Sequence, residues 1–453
     1  MSTQPTRHSS ALQMVEAALD CRPEQGVYRI AREIFTAPEL FDIEMEHIFE
    51  KTWIYACHES QVARPHDFFT VTIGRQPMIV TRDQSGKLHA LANACRHRGA
   101  TLVRVTKGNQ RGFACPFHAW CYGSDGRHLK VKDPAQYAGS IDPANYGLNE
   151  ARIASYKGFI FINLDITSTQ SLEEFLGESR IFFDLVTAQS PTGELEVVPG
   201  TSSYTYDANW KFQNENGVDG YHVTTVHYNY IAVITQRMRA NAQRGRAQES
   251  IDVANIGAGE GDGWFAFERG HSVLFLQLPN AEVRPGYATV YPRLLKDYGA
   301  AFAKWAMTKA RNLNVYPSLL FMDQMSTQIR VIRPIAWNKT EVYSFCLGVK
   351  DESAADRHSR IRQFTDFFNV SGMGTPDDLV EFREAQRGFE ARLERWSDIS
   401  RGHQYWLSQP NERAAELGIA PLLIGTDGSQ EGLFVNQHRV WRDYLLRGLA
   451  AKQ

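Results

Sequence analysis

Cys95-Arg-His97 and, seventeen residues further on, Cys115-Pro-Phe-His118 decide how the rest of this chain is read. Each half carries one thiolate and one imidazole close enough to share a tight loop. Two such loops facing each other can hold a [2Fe–2S] cluster, with both cysteines on one iron and both histidines on the other. That is Rieske ligation, and its imidazoles raise the potential above that of an all-cysteine cluster. A Cys2His2 zinc site has the same ligand count. Zinc modules of that kind tend to be small and helix-bearing, whereas these loops lie among strand-like runs. Cys121 reads as a structural thiol, and His89 and His128 as surface or packing histidines.

Outward from the loops, residues 68–74, 77–82, 88–94 and 157–164 read as strands, and Asp83-Gln-Ser-Gly86 as a hairpin turn. This predicts a small all-β module over residues 45–163. Residues 37–53 have helical period, with Phe41, Met45, Ile48 and Phe49 on one face and Glu39, Glu46 and Glu50 opposite. Residues 1–44 are expected to be a helical segment packing on the larger domain, with residues 1–20 frayed or loosely docked. From 164 to 453 helices and strands mix: 172–185 is helical, 201–207 and 342–349 are strands, and 353–398 is helical with a break at Gly372-Met-Gly-Thr-Pro376. The fold class is therefore α+β, an all-β module plus a larger domain of helices and antiparallel sheet. The glycine run 257–263 reads as a mobile loop; it lacks the strand–loop–helix order of a dinucleotide site.

Composition narrows the function. The net charge of −2, with no basic block, offers nothing to nucleic acid or an anionic membrane. No apolar run reaches the ~18 residues of a membrane span. The polar first ten residues lack the apolar core of a signal peptide, so a cytoplasmic location is expected. Six cysteines in 453 residues are too sparse for a disulfide scaffold.

A second stretch, Asn209-Trp-Lys-Phe-Gln-Asn-Glu-Asn-Gly-Val-Asp-Gly-Tyr-His-Val-Thr-Thr-Val-His227, contains two histidines and a carboxylate. Imidazole and carboxylate suit a non-haem Fe(II) site. A polar helix with satisfied histidines is the alternative. On a regular helix Asp219 lies over His222. Residues five apart diverge by about 140°, so His222 and His227 reach one ion only if the helix bends or carries a π-type turn.

Together these stretches resemble the large (α) subunits of Rieske non-haem iron ring-hydroxylating dioxygenases, along nearly the whole chain. Cys95-Arg-His-Arg-Gly99 and Cys115-Pro-Phe-His118 are similar to the family's two Rieske half-motifs, with Ala119-Trp120 where Gly-Trp is usual. The resemblance implies cluster ligands Cys95, His97, Cys115 and His118, and mononuclear-iron ligands His222, His227 and Asp378. The last belongs to Asp377-Asp378 in Thr375-Pro-Asp-Asp-Leu-Val-Glu-Phe-Arg383, with Asp377 as the fallback; helix capping after Pro376 is the ordinary role of such a pair. Asp219 matches a connecting aspartate that bonds His222 and reaches a neighbouring subunit's His118. Asn216 and Tyr221 fall where the family keeps supporting polar groups.

Val131-Lys-Asp-Pro134, Glu173-Glu-Phe-Leu-Gly-Glu178 and Phe367-Phe-Asn-Val-Ser-Gly-Met373 resemble the benzoate group. Gly26-Val-Tyr-Arg-Ile-Ala-Arg32, Ile54-Tyr-Ala-Cys-His-Glu-Ser60 and the run 386–401 resemble its anthranilate-oxidising branch. The implied activity is O2- and NADH-dependent 1,2-dihydroxylation of anthranilate to catechol with loss of CO2 and ammonia; benzoate and 2-halobenzoate are the alternatives. Implied partners are a small (β) subunit in an α3β3 assembly and an NADH-dependent iron–sulfur flavoprotein reductase carrying FAD. A Rieske electron carrier without catalysis is a rival from another class, opposed by the length of chain beyond the β module and by the second ligand set. A carboxylate substrate calls for a cationic partner; Arg237, Arg239, Arg330 and Arg333 are available, although surface pairing is the common role of any one arginine. Pocket walls are expected from 264–278 and 316–332.

Overall fold

The computed structural model describes residues 7–246, 251–256, 261–324 and 326–450. Of the glycine run read as a loop, residues 257–260 lie outside this set. The chain divides into two units, Met45–Phe175 and Met1–Glu44 with Leu176–Gln453. The second division lies beyond the 163/164 boundary expected from the sequence. The intervening residues are tied to the β unit, where the Trp53 indole and Arg152 donate to the Gln170 carbonyl at 3.2 and 2.7 Å and Lys51 pairs with Asp165 at 3.2 Å.

The smaller unit is built on a seven-stranded antiparallel sheet, in the order Ile54–His58, Phe159–Asn163, Glu150–Tyr156, Leu88–Ala92, Gln76–Arg82, Asp67–Ile73 and Lys107–Asn109. Strands Gly112–Ala114, Cys121–Gly123 and His128–Lys130 form a second sheet. The expected hairpin turn is present, its Asp83 carboxylate accepting the Ser85 and Lys87 N–H groups at 2.8 and 3.0 Å. Its hydrophobic core runs from Phe68, Ile79 and Leu91 to Trp120 and Tyr122, and takes in Cys95 and Cys115.

In the larger unit, helix Arg7–Glu16 packs on helix Gly432–Ala450 and buries Ala11 and Val15 completely. The frayed start expected from its polar sequence is thus corrected from residue 7 onward: two small apolar side chains one turn apart are enough to dock it. The main sheet is antiparallel and nine-stranded. Its path runs Leu195–Val197, Lys339–Val349, Thr327–Ala336, Leu319–Asp323, Lys309–Val315, Ser272–Gln277, Gly263–Ala266 and Leu423–Gly425, with Ser202–Tyr206 also on Lys339–Val349. Register places Leu274, Asn312, Met322 and Gln328 in one cross-strand row. Because side chains alternate faces along a strand, Leu276 and Arg330 share that face. Helices Trp210–Asn216 and Thr375–Phe389 pack together in the same unit. The helix expected over 37–53 is two pieces, α-helix Pro38–Glu44 and π-helix Met45–Phe49, and Leu40 rather than Phe41 is buried with Met45, Ile48 and Phe49.

Candidate metal centres and the cavity between helix and sheet

The two Cys–His loops of the β unit are built alike. Cys95 N–H donates to the Ala100 carbonyl at 2.9 Å, and Gly99 N–H returns to the Cys95 carbonyl at 2.8 Å. Cys115 N–H donates to Trp120 at 2.7 Å, and Ala119 N–H returns to Cys115 at 2.9 Å. Closing each loop needs a left-handed residue at its fifth position, which is Gly99 at φ 73° in one and Ala119 at φ 57° in the other. Both thiols are buried, and Tyr122 Oη lies 3.3 Å from Cys95 Sγ. The His97 and His118 rings stand edge to face at 4.7 Å, with His97 stacked on Trp120. His97 Nδ1 is buried with no hydrogen-bond partner among the described residues. Two buried thiols and two half-buried imidazoles, one with an unused lone-pair nitrogen, fit a Rieske cluster. The outlying groups behave more simply: Cys121 Sγ donates to the Ala119 carbonyl, and His89 is buried between Asp83 and Glu150.

The second site starts where helix Trp210–Asn216 stops. Gly217 follows because a Cβ there would clash with the Leu320 side chain. Asp219 and His222 therefore sit on a turn, not on the regular helix expected, yet they do meet: His222 Nδ1 lies 3.0 Å from Asp219 Oδ2. The Tyr221 N–H donates to Asp219 Oδ1 at 2.7 Å, while the Tyr221 ring is half exposed beneath the Arg401 guanidinium. Val223–Val226 is a single helical turn broken at His227, where φ is −96° and ψ is 21°. The chain thus answers the five-residue spacing with a break before helix Tyr228–Gln243, not with a π-turn. Thr375–Phe389 presents Asp378 from its first turn.

His222 Nε2, His227 Nε2 and Asp378 Oδ1 converge, with separations of 3.3 Å between the histidines and 3.5 and 3.3 Å to the carboxylate. Bonds of ~2.0–2.2 Å to a central ion span edges of that size. Among the described residues these three are the group whose ligand atoms lie within 4.8 Å of one another. Asn216 Nδ2 lies 3.2 Å from both His222 Nε2 and Asp378 Oδ1. Asp377 stays outside the convergence. Burial lowers the His227 imidazole to about 3, with the His222 charge adding to the effect, and so keeps it neutral. Burial raises the Asp378 carboxyl to about 6, against the opposing pull of His222 and Arg330. Burial would also lower His222, but the hydrogen bond to Asp219 and the Asp378 charge outweigh it.

These ligands open on a cavity lined by His222, His227 and Asp378 and by Leu274, Leu276, Asn312 and Met322 of the sheet. Of the two runs expected, 264–278 supplies Leu274 and Leu276 and 316–332 supplies Met322, Gln324 and Arg330; Asn312, Tyr230, Ile231 and, from π-helix Phe364–Phe368, Phe367 and Phe368 line it from outside those runs. Of the four arginines available, Arg237 pairs with Asp366 and Arg333 with Glu341, both partly exposed. Arg330 alone of the four lines the cavity. Sequence reading did not separate it from the others, because the burial that sets it apart in strand Thr327–Ala336 comes from the fold.

Residues 52–156 match the model of the Rieske [2Fe-2S] domain, and 194–446 match that of the ring-hydroxylating alpha subunit catalytic domain. The chain is 59% identical to the anthranilate 1,2-dioxygenase large subunit of Acinetobacter baylyi, over 97% of this chain and 94% of that one. It is 45% identical to the 2-halobenzoate 1,2-dioxygenase large subunit of Burkholderia cepacia, over 99% and 96%. In fold it is similar to naphthalene 1,2-dioxygenase from Rhodococcus sp., with a TM-score of 0.80 at 23% identity, covering 98% of this chain and 99% of that one.

Proposed function

We infer the reaction from one premise: the chain belongs to the family of Rieske ring-hydroxylating dioxygenase large (α) subunits. Its substrate we take to be anthranilate, and the observation that carries this is the 59% identity to an anthranilate 1,2-dioxygenase large subunit across nearly the full length. Both atoms of O2 add to ring carbons one and two, and the diol, bearing amino and carboxyl groups on those carbons, collapses to catechol, CO2 and ammonia. NADH supplies the two electrons through an iron–sulfur flavoprotein reductase that carries FAD. A small (β) subunit completes an α3β3 assembly in the cytoplasm.

When bound, the cluster relays electrons singly and the ferrous ion supplies oxygen activation. Cys95, Cys115, His97 and His118 hold the cluster. His222, His227 and Asp378 hold the iron, and their one-sided arrangement leaves the cavity face open for substrate and O2. Asp219 accepts a hydrogen bond from His222 Nδ1–H, which fixes the tautomer and leaves the Nε2 lone pair free for the ion. It also links His222 to a neighbouring subunit's His118. Leu274, Leu276, Met322 and the two phenylalanines hold the ring and keep water from it.

A substrate panel with reductase and NADH tests the assignment. Ammonia and catechol are expected from anthranilate in equal amounts. The 45% identity to a 2-halobenzoate enzyme supports the second reading, and a stable diol acid from benzoate with no anthranilate turnover would establish it instead. Iron content separates both from an electron carrier: about three irons per chain against about two.

A further inference from the structure

We propose that Arg330 is the residue that recognises the substrate's carboxylate, and so selects aromatic acids over neutral aromatic rings. The proposal rests on the reading that this cavity takes an aromatic acid, and names the group that does the selecting. Arg330 stands in the middle of strand Thr327–Ala336, 2% exposed, on the sheet face that forms the cavity wall. A buried guanidinium is costly unless its donors are used and its charge is met. Here one of five donors is accounted for: Nη2 donates to Thr375 Oγ1 at 2.8 Å. Nε is buried with no partner, and no carboxylate forms an ion pair with Arg330 among the described residues. The Phe368 ring, 5.5 Å from the guanidinium carbon, covers another side.

Other buried arginines of the same unit show what a structural guanidinium looks like here. Arg284 and Arg311 are both paired with Asp323, and Arg360 with Glu352. Arg330 has the burial without the anion. A carboxylate bound by Arg330 would lie close to the metal ligands. Thr375, which accepts from Arg330, is three residues before Asp378 on one helix, and the charge of Arg330 is felt by His222, His227 and Asp378. A ring held over the ligands with its carboxyl on a carbon under attack would bring that carboxylate beside Arg330. Planar guanidinium and planar carboxylate then form paired charge-assisted bonds.

The test is equilibrium binding of anthranilate and of its uncharged analogue 2-aminobenzamide, with iron content and the Rieske absorption spectrum read on every sample. Wild type should prefer anthranilate by ~30-fold or more, and Arg330→Gln should lose ~100-fold for anthranilate while changing little for the amide. Arg330→Lys, which keeps the charge without the fork, should fall between. Arg330→Gln binding anthranilate as wild type does, with both metals present, overturns the proposal. If the Gln variant fails to fold, the wild-type comparison still decides, since equal binding of acid and amide overturns it too. Wild type that binds benzoate and rejects anthranilate would instead overturn the substrate reading and leave Arg330 in its role.

Discussion

Asp378 is the residue with most at stake in the metal-free protein. Its carboxyl is raised to about 6 by burial, against ~3.9 in an unfolded chain. The fold therefore binds a proton that the unfolded chain has already released between those values, and the stability contributed by this group is present below pH ~4 and lost as pH rises through about 6. Asn cannot titrate. In urea denaturation after the mononuclear iron is chelated, Asp378→Asn should gain on wild type by on the order of 2 kcal/mol between pH 4.5 and 7.5. Parallel stability–pH curves would contradict this. With iron held as proposed the order should reverse, because the ion would need the carboxylate that burial disfavours. Asp219 is placed differently: Asp219→Asn should keep both metals, since it touches only the far nitrogen of His222. It should slow turnover at least tenfold, measured as single-turnover product formation from the reduced protein. At Ala119, φ 57° costs a residue with a Cβ ~1–2 kcal/mol, against ~0.4–1 saved in the unfolded chain relative to glycine. Ala119→Gly should therefore raise the temperature at which the cluster's visible absorption is lost by a few degrees.

Elements near the cluster were the most legible in the sequence. Strands Gln76–Arg82 and Leu88–Ala92 and the Asp83 turn depend on neighbours in the chain. The long sheet was legible only in fragments. Strand Leu423–Gly425 pairs with Gly263–Ala266 some 160 residues earlier, and nothing local encodes that partnership. The π-helices Met45–Phe49 and Phe364–Phe368 were invisible for a related reason, since they arise from packing and not from propensity. His222, His227 and Asp378 could be named because the motif around each has a pattern; Arg330 could not, because burial in a strand is a tertiary property. The same holds for Glu44, which no sequence motif singles out and which is buried at the end of helix Pro38–Glu44. It pairs with Lys211 and accepts from the Trp210 and Trp441 indoles at 2.8 and 2.7 Å, joining three helices of the larger unit. Removing one partner strands a buried charge, so Glu44→Gln should cost ~3–5 kcal/mol in chemical denaturation. Adding Lys211→Met should cost less than the sum of the two single changes.

At the scale of the whole molecule the question is which chain's cluster serves which iron. If Asp219 links His222 to a neighbouring subunit's His118, the chain is one link in a head-to-tail ring, and each catalytic event needs two chains. A variant lacking a cluster ligand, Cys95→Ala, keeps its mononuclear site. A variant lacking an iron ligand, His222→Ala, keeps its cluster, and each alone should be inactive. Co-expressed with distinguishable tags and purified as mixed assemblies, the pair should regain activity. In a three-chain ring that holds both variants, one of the three junctions sets a working cluster against a working iron site, so about a third of wild-type turnover per chain is expected from a heterologous ring. Within-chain transfer predicts none, because no chain in the mixture carries both centres intact. The Rieske spectrum at half of wild-type intensity checks that the assemblies are mixed as intended. Adding Asp219→Asn to the Cys95→Ala chain should then remove the regained activity, whereas adding it to the His222→Ala chain should not. That asymmetry is specific to an aspartate acting at the receiving iron site.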